Sequence, residues 1–152
     1  MIEKKRGMVT FDTIQTDMPP IRPDEIRQWI KDVAASYGYR LGRIAYVFCD
    51  DEKILEVNRQ YLQHDYYTDI ITFDYTAGDK IGGDLFISVD TIRTNAEQLG
   101  KTYEEELHRV VVHGILHLCG INDKGPGERE IMEAAEDKAL RLLSDLRAGV
   151  KK

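Results

Sequence analysis

HGILHLCGIND, residues 113 to 123, sets two histidines four apart, then a glycine, then an aspartate. On a helix, residues four apart lie one turn above each other on the same face, so His113 and His117 are able to grip one metal ion while Val111, Leu116 and Leu118 face elsewhere. Gly120, three residues past His117, suits the position just beyond a helix end, where positive φ turns the chain and returns Asp123 as a third, oxygen ligand. Three protein ligands leave one tetrahedral corner open. That is the arrangement of a catalytic zinc rather than a structural one, and a water at the open corner has its pKa lowered to about 7. Imidazole and carboxylate donors also admit other divalent ions. Two histidines at this spacing arise by chance on many helices; the glycine and aspartate at the right distances turn the pair into a candidate site. Gly114 adds to the case, since a glycine inside a helix costs about 1 kcal/mol relative to alanine and marks close approach by another part of the fold or by a ligand. It also occupies the place where a zinc peptidase carries the glutamate that takes a proton from water.

The elements that must hold these residues are legible around them. Thr102 with Glu105 forms a capping box that opens the histidine helix, and Gly100 ends the helix before it, which starts at Asp90. MVTFDTI, RIAYVFC, TDIITFDY and GDLFISV read as strands, the last two adjacent across the glycine-rich AGDKIGG turn. Between the first two, PDEIRQWIKDVAASYG repeats its apolar residues at helical spacing, with Pro23 in the first turn and Gly38 as the stop. Asp50 or Asp51 caps a helix running to about Leu62, with Ile54, Leu55, Asn58 and Tyr61 on one side. A last helix from about Glu128 to Leu146 buries Ile131, Met132, Ala135, Ala139 and Leu142. The order β-α-β-α-β-β-α-α-α predicts an α+β fold: a small mixed four-stranded sheet packed with about five helices, the metal site on a central helix. No repeat, low-complexity tract or linker divides residues 1 to 152, which are read as one domain.

Composition bounds the partners. A 152-residue chain with 42% hydrophobic residues furnishes a core without disulfides, and Cys49 and Cys119, in apolar surroundings, read as reduced buried thiols. The amino terminus has charge but no apolar targeting core, and no stretch reaches the roughly 18 apolar residues of a membrane span, so a cytoplasmic location and no membrane partner are expected. The net charge of −6 argues against indiscriminate nucleic-acid binding, yet the acidity is concentrated in residues 51 to 100, with 4 basic and 10 acidic groups. RNA is therefore not excluded.

At this point the sequence resembles the bacterial YbeY family of metal-dependent endoribonucleases, whose signature H-G-x-L-H-L-x-G-x-D-H is matched at His113, Gly114, Leu116, His117, Leu118 and Gly120. VNRQYLQHDYYTDIITF is similar to an upstream family segment at Asn58, Tyr61, Asp65, Thr68, Asp69 and Phe73, and GDLFIS to its G-D-I-x-I-S strand. The resemblance covers roughly residues 40 to 140. It implies a single-strand-specific endoribonuclease of ribosomal RNA maturation, acting at the 16S 3′ end and in ribosome quality control, with one zinc ion. Implied partners are ribosomal RNA, the ribosome or its proteins, and a ribosome-associated GTPase. Two departures stand out. The family's third histidine falls on Asp123, giving a harder His-His-Asp site, and its active-site arginine falls on Leu62, which cannot bind phosphate in fork geometry. Arg59, one turn earlier, ranks first as the replacing cation, ahead of Arg109 and Lys124.

With glycine at 114, phosphodiester hydrolysis is the better reading. His113 and His117 serve the reaction as ligands, with Asp123 the third, and Arg59 stabilises the pentavalent charge. The rivals are a small zinc metallopeptidase, and a non-catalytic ribosome-associated factor in which the metal only staples the last two helices. His64 is expected to be a solvated loop histidine, Tyr66 and Tyr67 to pack or to stack bases, and Asp69 and Asp84 to anchor the sheet. Glu128 and Glu130 are expected on the exposed face of the last helix. His108, about 140° around the helix from His113, should not join the site.

Overall fold

The computed structural model describes residues 8–62 and 68–149, so the expectations for His64, Asp65, Tyr66 and Tyr67 lie outside the described residues. Strand β1 (Val9–Ile14), helix α1 (Pro23–Ser36), strand β2 (Arg40–Cys49) and helix α2 (Asp51–Val57) come first. A π-helical turn (Asn58–Leu62) leads to β3 (Ile70–Asp74) and β4 (Lys80–Ser88), followed by α3 (Val89–Leu99), α4 (Tyr103–Leu118) and α5 (Glu128–Arg147). The sheet runs β1-β2-β4-β3, with β1, β2 and β4 parallel and β3 antiparallel at the edge, in the mixed arrangement the element order predicts.

Period-two alternation decides which face each strand residue serves. Ile44, Tyr46, Phe48, Leu85 and Ile87 face the main core with Trp29, Ile30, Leu107, Val111 and Ile115 from α1 and α4. Cys49, Ile71 and the half-buried Phe73 and Phe86 face the other way and are closed over by Ile54 and Val57 of α2. Two buried donors lock the main core. The Tyr46 hydroxyl donates to the Val111 carbonyl at 2.9 Å, and the Trp29 indole N–H donates to the Ala139 carbonyl at 2.8 Å. The first fixes β2 to the histidine helix, and the second fixes α1 to the last helix.

Two local expectations need correction. The helix after Asp50 is α-helical only to Val57; from Asn58 the wider π turn changes the phase, and Tyr61 comes out 61% exposed instead of packing inward. On α5 Met132, Ala135 and Ala139 are buried as expected, but Glu136 and Leu143 complete the inward stripe, while Leu142 is half-buried and Ile131 is 60% exposed. Asp50 is the cap of α2, accepting from the Lys53 N–H. Asp51 instead accepts from the Ser88 and Thr91 hydroxyls, both at 2.6 Å, tying the starts of α2 and α3 together. Cys49 and Cys119 are free buried thiols, pushed up by burial to about 12 and about 11, so both stay protonated at neutral pH. Among the described residues, no helix is long and apolar enough to cross a membrane.

Candidate metal and catalytic site

Helix α4 is placed at both ends. The capping box is complete: the Thr102 hydroxyl accepts from the Glu105 N–H at 3.0 Å and the Glu105 carboxylate accepts from the Thr102 N–H at 2.9 Å. At the other end Gly120 takes φ +94°, the Ile121 N–H reaches back to the Leu116 carbonyl at 3.1 Å, and the Gly120 N–H to that of His117 at 2.9 Å. This pair of bonds is the Schellman stop, and it turns the chain back along the helix. Asp123 arrives beside His113, its Oδ2 3.4 Å from Nε2.

The lack of a side chain at Gly114 lets α4 pack closely on the sheet. A Cβ there would sit 2.5 Å from Cδ2 of the fully buried Leu85 and 3.0 Å from Cδ1 of Ile70, so α4 lies directly on the sheet at this point. A glutamate following His113, as a zinc peptidase needs, has no room.

His113 is committed on both ring nitrogens. Nδ1 lies 2.7 Å from Glu136 Oε2, while Nε2 faces Asp123. Burial pulls its pKa down, but the Glu136 hydrogen bond and charge, with Asp123 and Asp69, outweigh that and leave it above the ordinary imidazole value. Glu136 is held in turn: Arg109 donates to its Oε1 at 2.7 Å and to Asp137 Oδ1 at 2.7 Å. Arg109 is therefore not a spare cation for phosphate, because two carboxylates already neutralise it.

These residues line a cleft of about 570 Å³. Asp69 and Glu106 line it too, and burial is the main cause raising the pKa of each. Among the described residues, Glu106 Oε1 is buried with no hydrogen-bond partner, which a protonated carboxyl tolerates better than a carboxylate. Asp69 was expected to anchor the sheet; its side chain faces this cleft, while its backbone carbonyl accepts from the Ser88 N–H. Asp84 does stay with the sheet, accepting from the Tyr75 hydroxyl at 3.3 Å.

Of the expected site residues, His113 and Asp123 are brought together. His117 stands one turn along the same helix, half-buried, but among the described residues it does not line the cleft, and neither do Arg59 or Lys124. Arg59 lies exposed on the π turn. Glu128 accepts from the Gly125 N–H at 2.7 Å and closes the loop ahead of α5, whereas Glu130 is exposed as expected. His108 is buried against Trp29, away from the site as its helical angle requires.

The donors suit a divalent ion in type. Two ligands each about 2.1 Å from a tetrahedral ion stand roughly 3.4 Å apart, the separation found between His113 and Asp123. The triad is not closed, however: among the described residues no three His, Cys, Asp or Glu side chains are grouped so as to hold an ion. Glu136 and Glu106 are the residues that motif spacing misses, and Asp69, though matched upstream, was not expected in the cleft. The available signal was an acidic residue inside an apolar stripe, as Glu136 is between Met132, Ala135 and Ala139.

Comparison with known proteins bears on the family and the fold. The family model described as Endoribonuclease YbeY matches residues 12–144. A protein of Bacteroides thetaiotaomicron named Endoribonuclease YbeY is 74% identical over 134 residues, covering 88% of this chain and 98% of its own. One of Phocaeicola vulgatus with the same name is 70% identical over 137 residues, covering 90% and 99%. A solution structure from Thermotoga maritima superposes with a TM-score of 0.67 over 93% of each chain at 22% identity, a likeness of fold alone.

Proposed function

The chain belongs to the YbeY endoribonuclease family, and from that premise we propose that it is a metal-dependent endoribonuclease of single-stranded RNA, acting in ribosomal RNA maturation. The observation that carries the metal reading is the His113–Asp123 pair at ligand spacing at the sharp end of α4. His113, His117 and Asp123 would hold the ion, zinc by donor type, which when bound supplies Lewis acidity toward a phosphoryl oxygen and acidifies water. The chain's own residues do the rest. The Schellman turn holds Asp123 against His113, and the close seat of Gly114 on Leu85 fixes the helix behind both. The cleft walls are acidic on balance, with Asp69, Glu106, Asp123, Glu133, Glu136 and Asp137 against Lys101, Arg109 and Arg129, so an RNA phosphate meets repulsion there unless a cation is present. Positive charge for the strand comes from outside the cleft, from Arg59 on the π turn and Lys124 beside Asp123. A cytoplasmic setting and contact with ribosomal proteins or a ribosome-associated GTPase go with this reading.

The test is cleavage of structured ribosomal RNA by protein freed of contaminating ribonuclease, with and without chelator, alongside casein. RNA cleavage abolished by chelator and by His117→Ala, with casein intact, is the expected result. RNA left whole by zinc-loaded protein would refute it. Chelation should also weaken RNA binding itself, measured by filter retention, because the acidic walls are then unshielded.

A further inference from the structure

The metal reading names three ligands but does not say what fixes the proton on His113. A neutral imidazole carries one proton and offers one lone pair, so it serves an ion through Nε2 only if the proton sits on Nδ1. Glu136 is placed to hold that proton. Glu136 Oε2 is 2.7 Å from Nδ1, and its other oxygen takes a 2.7 Å hydrogen bond from Arg109, which itself is steadied by Asp137 at 2.7 Å. Glu136 is only 6% exposed, so water does not readily replace it.

We infer that Glu136 is a positioning residue for metal binding: it accepts a hydrogen bond from the Nδ1–H of His113 and so leaves the Nε2 lone pair facing Asp123. This rests on the proposed metal reading. Its force lies in the direction of each hydrogen bond. Arg109 has only donors, so whatever stands at 136 must turn an acceptor toward it. A carboxylate has a second acceptor left for His113. A glutamine does not: with its oxygen turned to Arg109, its NH2 faces Nδ1, which must then accept, and the imidazole proton moves to Nε2, where it blocks the ligand lone pair. Asp137 and Arg109 matter only through Glu136, since neither touches His113 in the bonds described.

The experiment measures the tautomer and the metal separately. Nitrogen-15 spectra of metal-free protein at alkaline pH, where imidazole is neutral, should show His113 protonated at Nδ1 in the natural chain and at Nε2 in Glu136→Gln. Zinc affinity, by competition with a chromophoric chelator, should fall about 10- to 100-fold in Glu136→Gln. Near-ultraviolet circular dichroism of the metal-free variant checks that it is folded. In Arg109→Gln the substituted amide can still donate to Glu136, so His113 should keep its Nδ1 proton. The inference is overturned by an Nε2-protonated His113 in the natural protein, a measurement that needs no variant, or by zinc affinity in folded Glu136→Gln within twofold of the natural chain. Natural protein that takes up no zinc yet shows the tautomer exchange would instead overturn the metal reading on which the positioning role depends.

Discussion

At the scale of single residues, the site is set as much by what is absent as by what is present. Gly114 lets α4 lie on β4, and an alanine there would push a methyl group into Leu85 and Ile70. Alanine gains about 1 kcal/mol in helix propensity, while overpacking a filled core costs about 1 to 3 kcal/mol. Leu85, the closer of the two, is fully buried with little freedom to yield, while Ile70 is half-buried, so the cost should win. Gly114→Ala is expected to lower Tm and, since His113 is the adjacent residue, to weaken zinc binding as well; a raised Tm would show that the contact relaxes easily. Arg59 and Arg109 separate in the same spirit. Arg109 is bound to Glu136 and Asp137, so its replacement should act on metal affinity. Arg59→Ala should leave metal affinity alone and slow RNA cleavage, and equal effects of both variants on the two measurements would contradict that division. His113 and Gly114 were legible in the sequence from the helical pattern and Asp123 from the Gly120 turn, whereas His117, placed by the same spacing, does not line the cleft among the described residues. Glu136 was not legible, because it reaches His113 only through the packing of α5 on α4, and no spacing within either helix encodes a contact between them.

At the scale of elements, what the sequence stated locally it stated well. The capping box, the glycine stops and the adjacent β3 and β4 strands all follow from short-range chemistry, and each is present as expected. The misses occur where tertiary packing sets the phase. The π turn at Asn58–Leu62 rotates Tyr61 out to solvent, where its ring edges against Phe73 at 5.8 Å, and the inward stripe of α5 is settled by the seat offered between α1 and α4. The Schellman stop at Gly120 is the element on which the site most depends. Its φ of +94° is left-handed space that costs a residue with a side chain roughly 1 to 2 kcal/mol. Around it there is space, the nearest atom to an added Cβ being the Tyr39 hydroxyl at 4.0 Å, so Gly120→Ala tests backbone conformation rather than crowding. Tm should fall modestly, and zinc affinity should fall because Asp123 no longer returns to His113. If zinc affinity were unchanged, the turn would not be what delivers the third ligand.

At the scale of the whole molecule, one buried and one half-buried histidine on the same helix should give the metal-free protein opposing responses to pH. His108 sits under Arg147, which makes a two-pronged ion pair with Glu25 at 2.8 and 2.9 Å and reaches Glu104 at 3.3 Å, fastening α1, α4 and α5 together. Burial first, then the charge of Arg147, lower the pKa of His108 below 6.5, with Glu104 and Glu25 resisting. In the unfolded chain His108 takes up its proton before the folded protein does, so stability is intact above about pH 6.5 and is lost as pH falls through the folded value. His113 has the opposite sign. Its pKa is raised despite burial, so its contribution is full below about pH 6.5 and is lost as pH rises through the folded value. Asp69 and Glu106, raised from 3.8 and 4.5, also favour the acid side, but from the start of their own lower windows. Urea unfolding of metal-free protein across this range should therefore give curves whose differences identify each histidine. His108→Leu should flatten the loss on the acid side, and His113→Asn the loss on the alkaline side. Zinc should reverse the alkaline limb, because binding requires His113 neutral and so strengthens as pH rises. A His108→Leu curve parallel to that of the natural chain below pH 6.5 would mean that His108 carries its proton in the folded core, and that Glu25 and Glu104, not burial and Arg147, govern its charge.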